Sequence, residues 1–298
     1  MFTTATGIVL AFVAMLCWGF GDFLIQKSTR KVGDWETLFV ISFFGTVILL
    51  PFSLGSIQTL IAGGVSTDVV VLIGASIVLF FAALVDFEAL KRGKLALVEP
   101  IWAFEIPAAS MLAYLVLGER ITAGQTVLIG LLMLGLILVS LRTGRGGLTN
   151  KKALFEKGTV LAFLGALLMG SANFFIGWGS RVTDPVMIIF FTNVFLAVIT
   201  FGYLMAKGGI GKLISDTKAN FGLLMPMTIS DNVAWLAYAF SMSLAPIAVA
   251  TALSESYVIL AVLLGLFINK EKIQTHQKVG LILAVISAVV LAVVTGNN

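Results

Sequence analysis

Ten stretches of this chain are apolar over about 20 residues each, the length an α-helix needs to cross the hydrocarbon core of a bilayer. Only 11% of its 298 residues are charged, against about 25% in soluble domains, so this much apolar surface requires lipid as its solvent. The expected fold is therefore all-α and integral to the membrane, with about ten transmembrane helices. The predicted spans are 6–26, 36–55, 69–90, 95–117, 122–141, 158–178, 185–206, 221–243, 247–268 and 276–295.

Basic residues are concentrated in alternate loops. Of the 19 Lys and Arg residues, 17 lie in the odd-numbered loops or at the start of the last span, and only Arg120 and Arg181 lie in the even loops. The positive-inside rule then predicts cytoplasmic odd loops and both termini outside. The net charge of +4 belongs to these loops and does not indicate a nucleic-acid partner. With one cysteine and one histidine, the sequence predicts neither a metal site nor a cofactor.

Short motifs recur about half a chain apart. A shift of 151 residues places Gly19–Phe23 over Gly170–Phe174, and a shift of 152 places Glu119–Ile121 over Glu271–Ile273. We predict two five-helix repeats, at 1–141 and 158–298, joined by a basic cytoplasmic linker at 142–157. Because five is odd, the second repeat enters the membrane the opposite way up. Inverted repeats are typical of secondary transporters, which bind substrate near the midplane between the repeats.

The motifs at the repeat ends point to a known family. They comprise Cys17-Trp18-Gly19, Pro107, Leu117-Gly118-Glu119-Arg120-Ile121-Thr122, Gln125 and Gly135, and in the second half Asn269-Lys270-Glu271-Lys272-Ile273, Gln277 and Gly280. In order and spacing they resemble the drug/metabolite transporter superfamily, EamA-type, over essentially the whole chain. The resemblance implies transport, often export, of small metabolites, amino acids or amphipathic drugs. The chain departs from the pattern with Asp22 in span 1 and with Ile259 at the position equivalent to Pro107.

Seven acidic residues lie within the predicted spans, where a central carboxylate costs about 2.5–3.5 kcal/mol to insert. Glu105 is ten residues into its span, or about 15 Å, which is half of the core thickness. Glu255 is comparably deep in the repeat-equivalent span, so we expect the two acids to meet near the midplane. Asp86 and Glu88 precede a basic pair and are expected near the interface. The other three acids are Asp22, Glu99 and Asp231.

These observations give a candidate substrate or proton pathway, whose members are Glu105, Glu255, Asp22, Glu99, Asp231, Trp102, Tyr257 and Asn173. Buried carboxylates favour a cation or exchange protons, and aromatic faces bind cations. Two alternatives stay open: neutral acids that only hydrogen bond to neighbouring helices, and aromatic residues that only anchor the interface. A stripe of small residues from Gly280 to Ala292 suits packing within the bundle or, as a second alternative, a homodimer seam.

The predicted function is secondary transport of a small metabolite, or of an amphipathic or cationic solute, by alternating access, with proton-coupled export as one form. A channel or structural membrane protein is the alternative. A membrane-embedded enzyme is less favoured, because the short loops carry neither a His/Asp nor a Cys/His set. The lipid bilayer and a small-molecule substrate are the expected partners. The family resemblance and the compactness of the chain favour a prokaryotic cytoplasmic (inner) membrane.

Overall fold

The computed structural model describes residues 3–64, 66–92, 101–141, 157–267 and 274–297, almost all of them helical. Seven of the described helices are long and apolar enough to cross a membrane, and two apolar helical stretches are shorter, so the count of ten spans stays a prediction. The helices are α1 Thr4–Val32, α2 Asp34–Gly63, α3 Thr67–Arg92, α4 Glu105–Leu117, α5 Ala123–Ser140, α6 Lys157–Val182, α7 Pro185–Ala206, α8 Ile210–Ala219, α9 Phe221–Leu244, α10 Ile247–Ser254, α11 Tyr257–Phe267 and α12 Thr275–Gly296.

Two of these elements differ from the sequence prediction. The short helix α8 occupies the connection 207–220, for which no helix is predicted. Its polar and apolar residues are segregated, with Leu213 buried and Lys212 and Lys218 exposed, as in helices that lie along an interface. The predicted ninth span is not continuous either, because a turn at Glu255 and Ser256 separates α10 from α11.

The two predicted halves meet in a matched pair of helices, α5 and α12. The side-chain carbonyl of Gln125 accepts a hydrogen bond from Thr122 N at 2.8 Å, and Gln277 accepts one from Gln274 N at 3.0 Å. Each glutamine therefore caps the start of its own helix. The glutamine that recurs in the sequence therefore marks the start of an equivalent helix in each half.

The same glutamines also reach across to the partner helix. Gln125 Nε2 donates to Thr295 Oγ1 at the end of α12, and Gln277 Nε2 donates to the Val139 carbonyl at the end of α5, both at 2.9 Å. The start of each helix thus lies beside the end of the other, so α5 and α12 run in opposite directions. Between these ends, Gly135 packs backbone to backbone against Gly280 and Ala284.

Helices α2 and α7 form a second antiparallel pair of repeat equivalents. Ser56, near the end of α2, donates to the Asp184 carboxylate that caps the start of α7, while Trp35, at the start of α2, stacks on Tyr203 near the end of α7. The most extensive packing joins α3 to α6 and α1 to α9. By the repeat, α1 corresponds to α6 and α9 to α3, so the two contacts are equivalent. The bundle is therefore built on an inverted repeat.

The helix breaks also obey the repeat. A turn at Ala103 and Phe104 precedes α4, and the turn at Glu255 and Ser256 lies 152 residues later. Broken helices at equivalent places in two halves expose backbone groups inside the bundle and are typical of transporter binding sites. The candidate site is therefore built around these two turns.

Candidate substrate site

Two acidic residues stand at the two helix breaks. Glu105 is the first residue of α4 and is only 6% exposed, and Glu255 is the residue at which α10 ends. Tyr238 is fully buried on α9. The structure places the two acids at equivalent helix breaks, and their convergence near the midplane stays a prediction.

The first acid is held by helix α6. Asn173 Nδ2 lies 3.4 Å from Glu105 Oε2, at the limit of a hydrogen bond. Helix α4 begins this close to α6 because position 170 is glycine: a Cβ there would lie 2.6 Å from the Glu105 carbonyl oxygen. Asn173 Oδ1 is buried and has no hydrogen-bond partner among the described residues, so an acceptor is left available beside the acid.

Tyr238 is the polar centre of the cluster, and the sequence analysis does not identify it. Its hydroxyl lies 2.7 Å from Thr251 Oγ1 on α10, and both side chains are fully buried. One sequence signal was available. Tyr238 follows Asp231 by seven residues and Trp235 by three, the spacing of residues that share one face of a helix.

Aromatic rings enclose the tyrosine. Trp18 of α1 meets the Tyr238 ring edge-on at 5.0 Å between centroids, and it meets Trp235 in the same manner at 5.2 Å. Tyr257, the first residue of α11, packs against the same apolar cluster. The hydroxyl and the aromatic faces therefore come together where α1, α9, α10 and α11 meet.

The remaining predicted site residues are placed differently. Asp231 is buried on α9, about 10 Å along the helix from Tyr238. Trp102 packs against Ala89 and Ala162, away from the aromatic group, and its buried Nε1 has no hydrogen-bond partner within the described ranges. Asp22 lies on α1, but its side chain is outside the described residues, and so is the whole of Glu99.

Asp86 is buried against a neighbouring helix. Its Oδ1 atom is buried and has no hydrogen-bond partner in the described part of the chain. The carboxylate packs into the space above Gly165 of α6, where any Cβ would overlap Oδ1. Packing against this glycine excludes solvent from the oxygen, and the depth of Asp86 near the interface stays a prediction.

An ion-pair network ties the even-loop end of the bundle together. Gly118, in the left-handed conformation with φ 65°, ends α4 and leads directly to Glu119. Glu119 Oε2 lies 2.7 Å from Arg181 Nη1 at the end of α6. The same guanidinium donates to the carbonyls of Met242 and Ala245, at 2.8 and 2.9 Å. The network connects the α4–α5 loop to α6 and to the end of α9.

No group of three metal-ligating His, Cys, Asp or Glu side chains occurs within the described ranges. His276 instead contacts the Leu141 carbonyl through Nε2 at 2.9 Å, which adds to the seam between α12 and α5. The small residues Gly280, Ala284 and Ala288 of the predicted stripe are buried inside the bundle along this seam.

A helical membrane bundle of two inverted halves, with polar side chains gathered at paired helix breaks, is the architecture of a secondary transporter. The sequence pattern of the EamA-like transporter family matches residues 5–141 and, a second time, residues 156–293. The chain belongs to the EamA-like transporter family, which places it among membrane transporters of small solutes.

The fold is shared with a solved protein. One crystal structure superposes with a TM-score of 0.74 over 97% of each chain, at 16% sequence identity. At this identity the likeness shows the fold alone. No curated protein matches the sequence.

Proposed function

We propose that this transporter moves a small amphipathic organic cation by alternating access, and that Glu105, Tyr238 and Glu255 form its substrate site. The observation that carries the proposal is the position of the two acids at equivalent helix breaks, with Asn173 beside Glu105 and the Tyr238 hydroxyl on Thr251, one turn before Glu255. A site between inverted halves is reached from either side when the halves rock. The coarser function, transport of small solutes, follows from the family.

The chemistry of the cluster supports a cationic substrate. Carboxylates attract an ammonium group strongly where water is excluded, and a ring face adds about 0.5–2 kcal/mol of cation–π attraction. Trp18 and Trp235 supply apolar and π surface for the organic part of the substrate. Binding of the cation would displace protons from the two acids, which gives proton-coupled export a physical basis.

We further propose that the Glu119–Arg181 network holds one entrance closed. It joins segments of both halves at the even-loop end, so rocking of the halves must break it. The positive-inside prediction assigns this end to the outside of a prokaryotic cytoplasmic membrane, with both termini there. The repeat boundaries at 1–141 and 158–298, around the linker 142–157, belong to the same proposal.

Neutralising the acids tests the site. Glu105→Gln and Glu255→Gln are compared with Glu88→Gln, an acid on α3 outside the cluster, in proteoliposomes with matched protein content. The probes are radiolabelled tetraphenylphosphonium, a quaternary ammonium and a primary alkylamine. We expect saturable counterflow of at least one probe by the wild type, lost at least tenfold in both site variants and kept in Glu88→Gln.

Full counterflow in both site variants would refute the assignment of these acids. Unsaturable conductance in the wild type would instead favour a channel. Counterflow measured at two external pH values separates the proton from the substrate: coupled export predicts a pH-dependent gradient of accumulation that the single glutamine variants lose.

Breaking the closure tests the second proposal. Arg181→Ala leaves Glu119 and two carbonyls without their donor, so we expect a larger loss of thermal stability than from Glu119→Gln, which leaves the carbonyl bonds intact. Arg120→Ala is the matched control, because this exposed neighbour takes no part in the network. Equal melting temperatures for all three variants would contradict the closure.

A further inference from the structure

A groove runs along the outside of the bundle between α2 and α7, far from the acid cluster. Its volume is about 320 Å³, within the usual range for a ligand pocket. Every residue that lines it is apolar except Thr46: Phe39, Phe43, Thr46, Val194, Ala197, Val198 and Phe201. Phe43, Val198 and Phe201 are exposed, so in a bilayer the groove opens to lipid.

One end of the groove is amphipathic. Along α2 and α7 the lining extends over about 10 Å, and it stops about one turn from Trp35 on α2 and about half a turn from Tyr203 on α7, which stack on each other. The ring centroids of that pair are 3.8 Å apart, and Trp and Tyr are the residues that mark the headgroup level of a membrane. The aromatic pair thus separates the apolar groove from a polar rim.

A lysine lies at this rim. Lys207, which directly follows α7, holds its Nζ 5.9 Å from the centre of the Tyr203 ring. Lys212, on α8 beside it, is engaged with Glu36 at 3.3 Å. Lys207 has no carboxylate within 4 Å among the residues that the structure describes. A fixed cation at the headgroup level, above an apolar groove, matches an anionic head with an acyl tail.

We propose that this groove binds an anionic phospholipid, with one acyl chain between Phe39, Phe43 and Phe201 and the phosphate on Lys207. The loop that carries Lys207 belongs to the basic end of the bundle, so the lipid comes from the leaflet at that end, which is predicted to be cytoplasmic. Anionic lipids are attracted to basic residues at that surface. The site is independent of the substrate site, so either proposal can fail alone.

The lipid would stabilise the contact between α2 and α7, which rocking of the halves would disturb. Helices α2 and α7 are repeat equivalents, and the lipid would bridge them near the basic end, opposite the Glu119–Arg181 network. Occupancy is therefore expected to stabilise the folded protein by mass action.

The test compares lipids on the purified full-length protein. Native mass spectrometry and thermal unfolding are run after addition of dioleoyl phosphatidylglycerol or dioleoyl phosphatidylcholine, for the wild type, Lys207→Gln, Val198→Trp and Lys218→Gln. We expect about a fivefold preference for retention of phosphatidylglycerol, the factor that one lysine near an anionic headgroup provides. Lys207→Gln should abolish the preference, and Val198→Trp, which fills the groove, should lower retention of both lipids.

Lys218→Gln is the matched control, because it removes an exposed lysine of α8 that does not border the groove. An equal loss of preference in Lys218→Gln and Lys207→Gln would mean diffuse attraction and overturn the site, as would equal retention of the two lipids by the wild type. Lys207→Gln changes an exposed side chain and keeps the test informative if Val198→Trp does not fold. Slower transport in Val198→Trp with unchanged lipid retention would identify a lateral substrate entrance instead.

Discussion

The contact of α1 with α9 and the contact of α6 with α3 occupy equivalent places in the two halves, yet they are filled in opposite ways. In the first, Tyr238 is hydrogen bonded to Thr251 and enclosed by Trp18 and Trp235. A shift of 152 residues from Tyr238 leads back to Asp86, whose Oδ1 is buried against Gly165 with no partner among the described residues.

The two contacts therefore share the packing of their helices but differ in the buried side chains at equivalent positions. In the α1–α9 contact Tyr238 and Thr251 satisfy each other, although the buried hydroxyls of Ser28, Thr228 and Ser241 on these two helices have no partner among the described residues. In the α3–α6 contact, Asp86 Oδ1 has no partner within the described ranges, and neither has Nε1 of Trp102, which packs against Ala89 and Ala162. Unpaired buried polar atoms cost stability, typically about 1–3 kcal/mol each. Substitution of Tyr238 and of Asp86 should therefore have different effects.

The largest effect is expected in the contact between α3 and α6, where Gly165 meets Asp86. Gly165→Ala places a methyl group on the Asp86 carboxylate, and overpacking of this kind costs about 1–3 kcal/mol. Thermal unfolding in detergent measures the loss, and the double variant Gly165→Ala/Asp86→Ala should recover most of it. Gly130→Ala is the control, because a Cβ there meets open space. Equal melting temperatures for Gly165→Ala and Gly130→Ala would show that the contact is loose.

A smaller effect is expected at the centre of the contact between α1 and α9. Tyr238→Phe removes the hydroxyl and leaves Thr251 Oγ1 buried without it, at a cost of about 1–2 kcal/mol. Asp86→Ala removes an oxygen that has no described partner and should cost less. Unfolding of both variants under the same conditions ranks them, and a larger loss for Asp86→Ala would reverse the comparison. Tyr238→Phe should also raise the KM of transport.

The smallest effect is expected from the indole of Trp102. Trp102→Phe deletes an N–H that has no partner among the described residues, which offsets the lost ring area, so we expect a change within about 1 kcal/mol. The same substitution at Trp18, which is 7% exposed and packs edge-on against two rings, should cost more. Indistinguishable melting temperatures for the two variants would remove the energetic contrast between the contacts.

Much of the architecture follows from the sequence because it depends on length and repetition. Apolar runs of spanning length predict the helices, and the repeated Gln125 and Gln277 mark two equivalent helix starts. The placement of Glu105 and Glu255 at equivalent helix breaks follows from the same repeat. The length of an apolar run and the offset of a repeat can both be counted directly in the sequence.

The remainder depends on which side chains meet, and periodicity does not determine this. Tyr238 resembles an interfacial tyrosine until Trp18 and Thr251 are seen around it. Asp86 stands close to two bases in sequence, but Gly165 of another helix buries it. Glu119 and Arg181 carry separate repeat matches, and only the fold shows that they bind each other.

The seam between α5 and α12 has a mechanical consequence. Its two helices are tied at both ends, by Gln125 to Thr295 and by Gln277 and His276 to the end of α5, and their backbones touch between these ties. Such a pair can neither slide nor separate without losing bonds at both membrane surfaces together. If the halves rock as proposed, this pair would stay together, and the movement would fall to the helices around the candidate site.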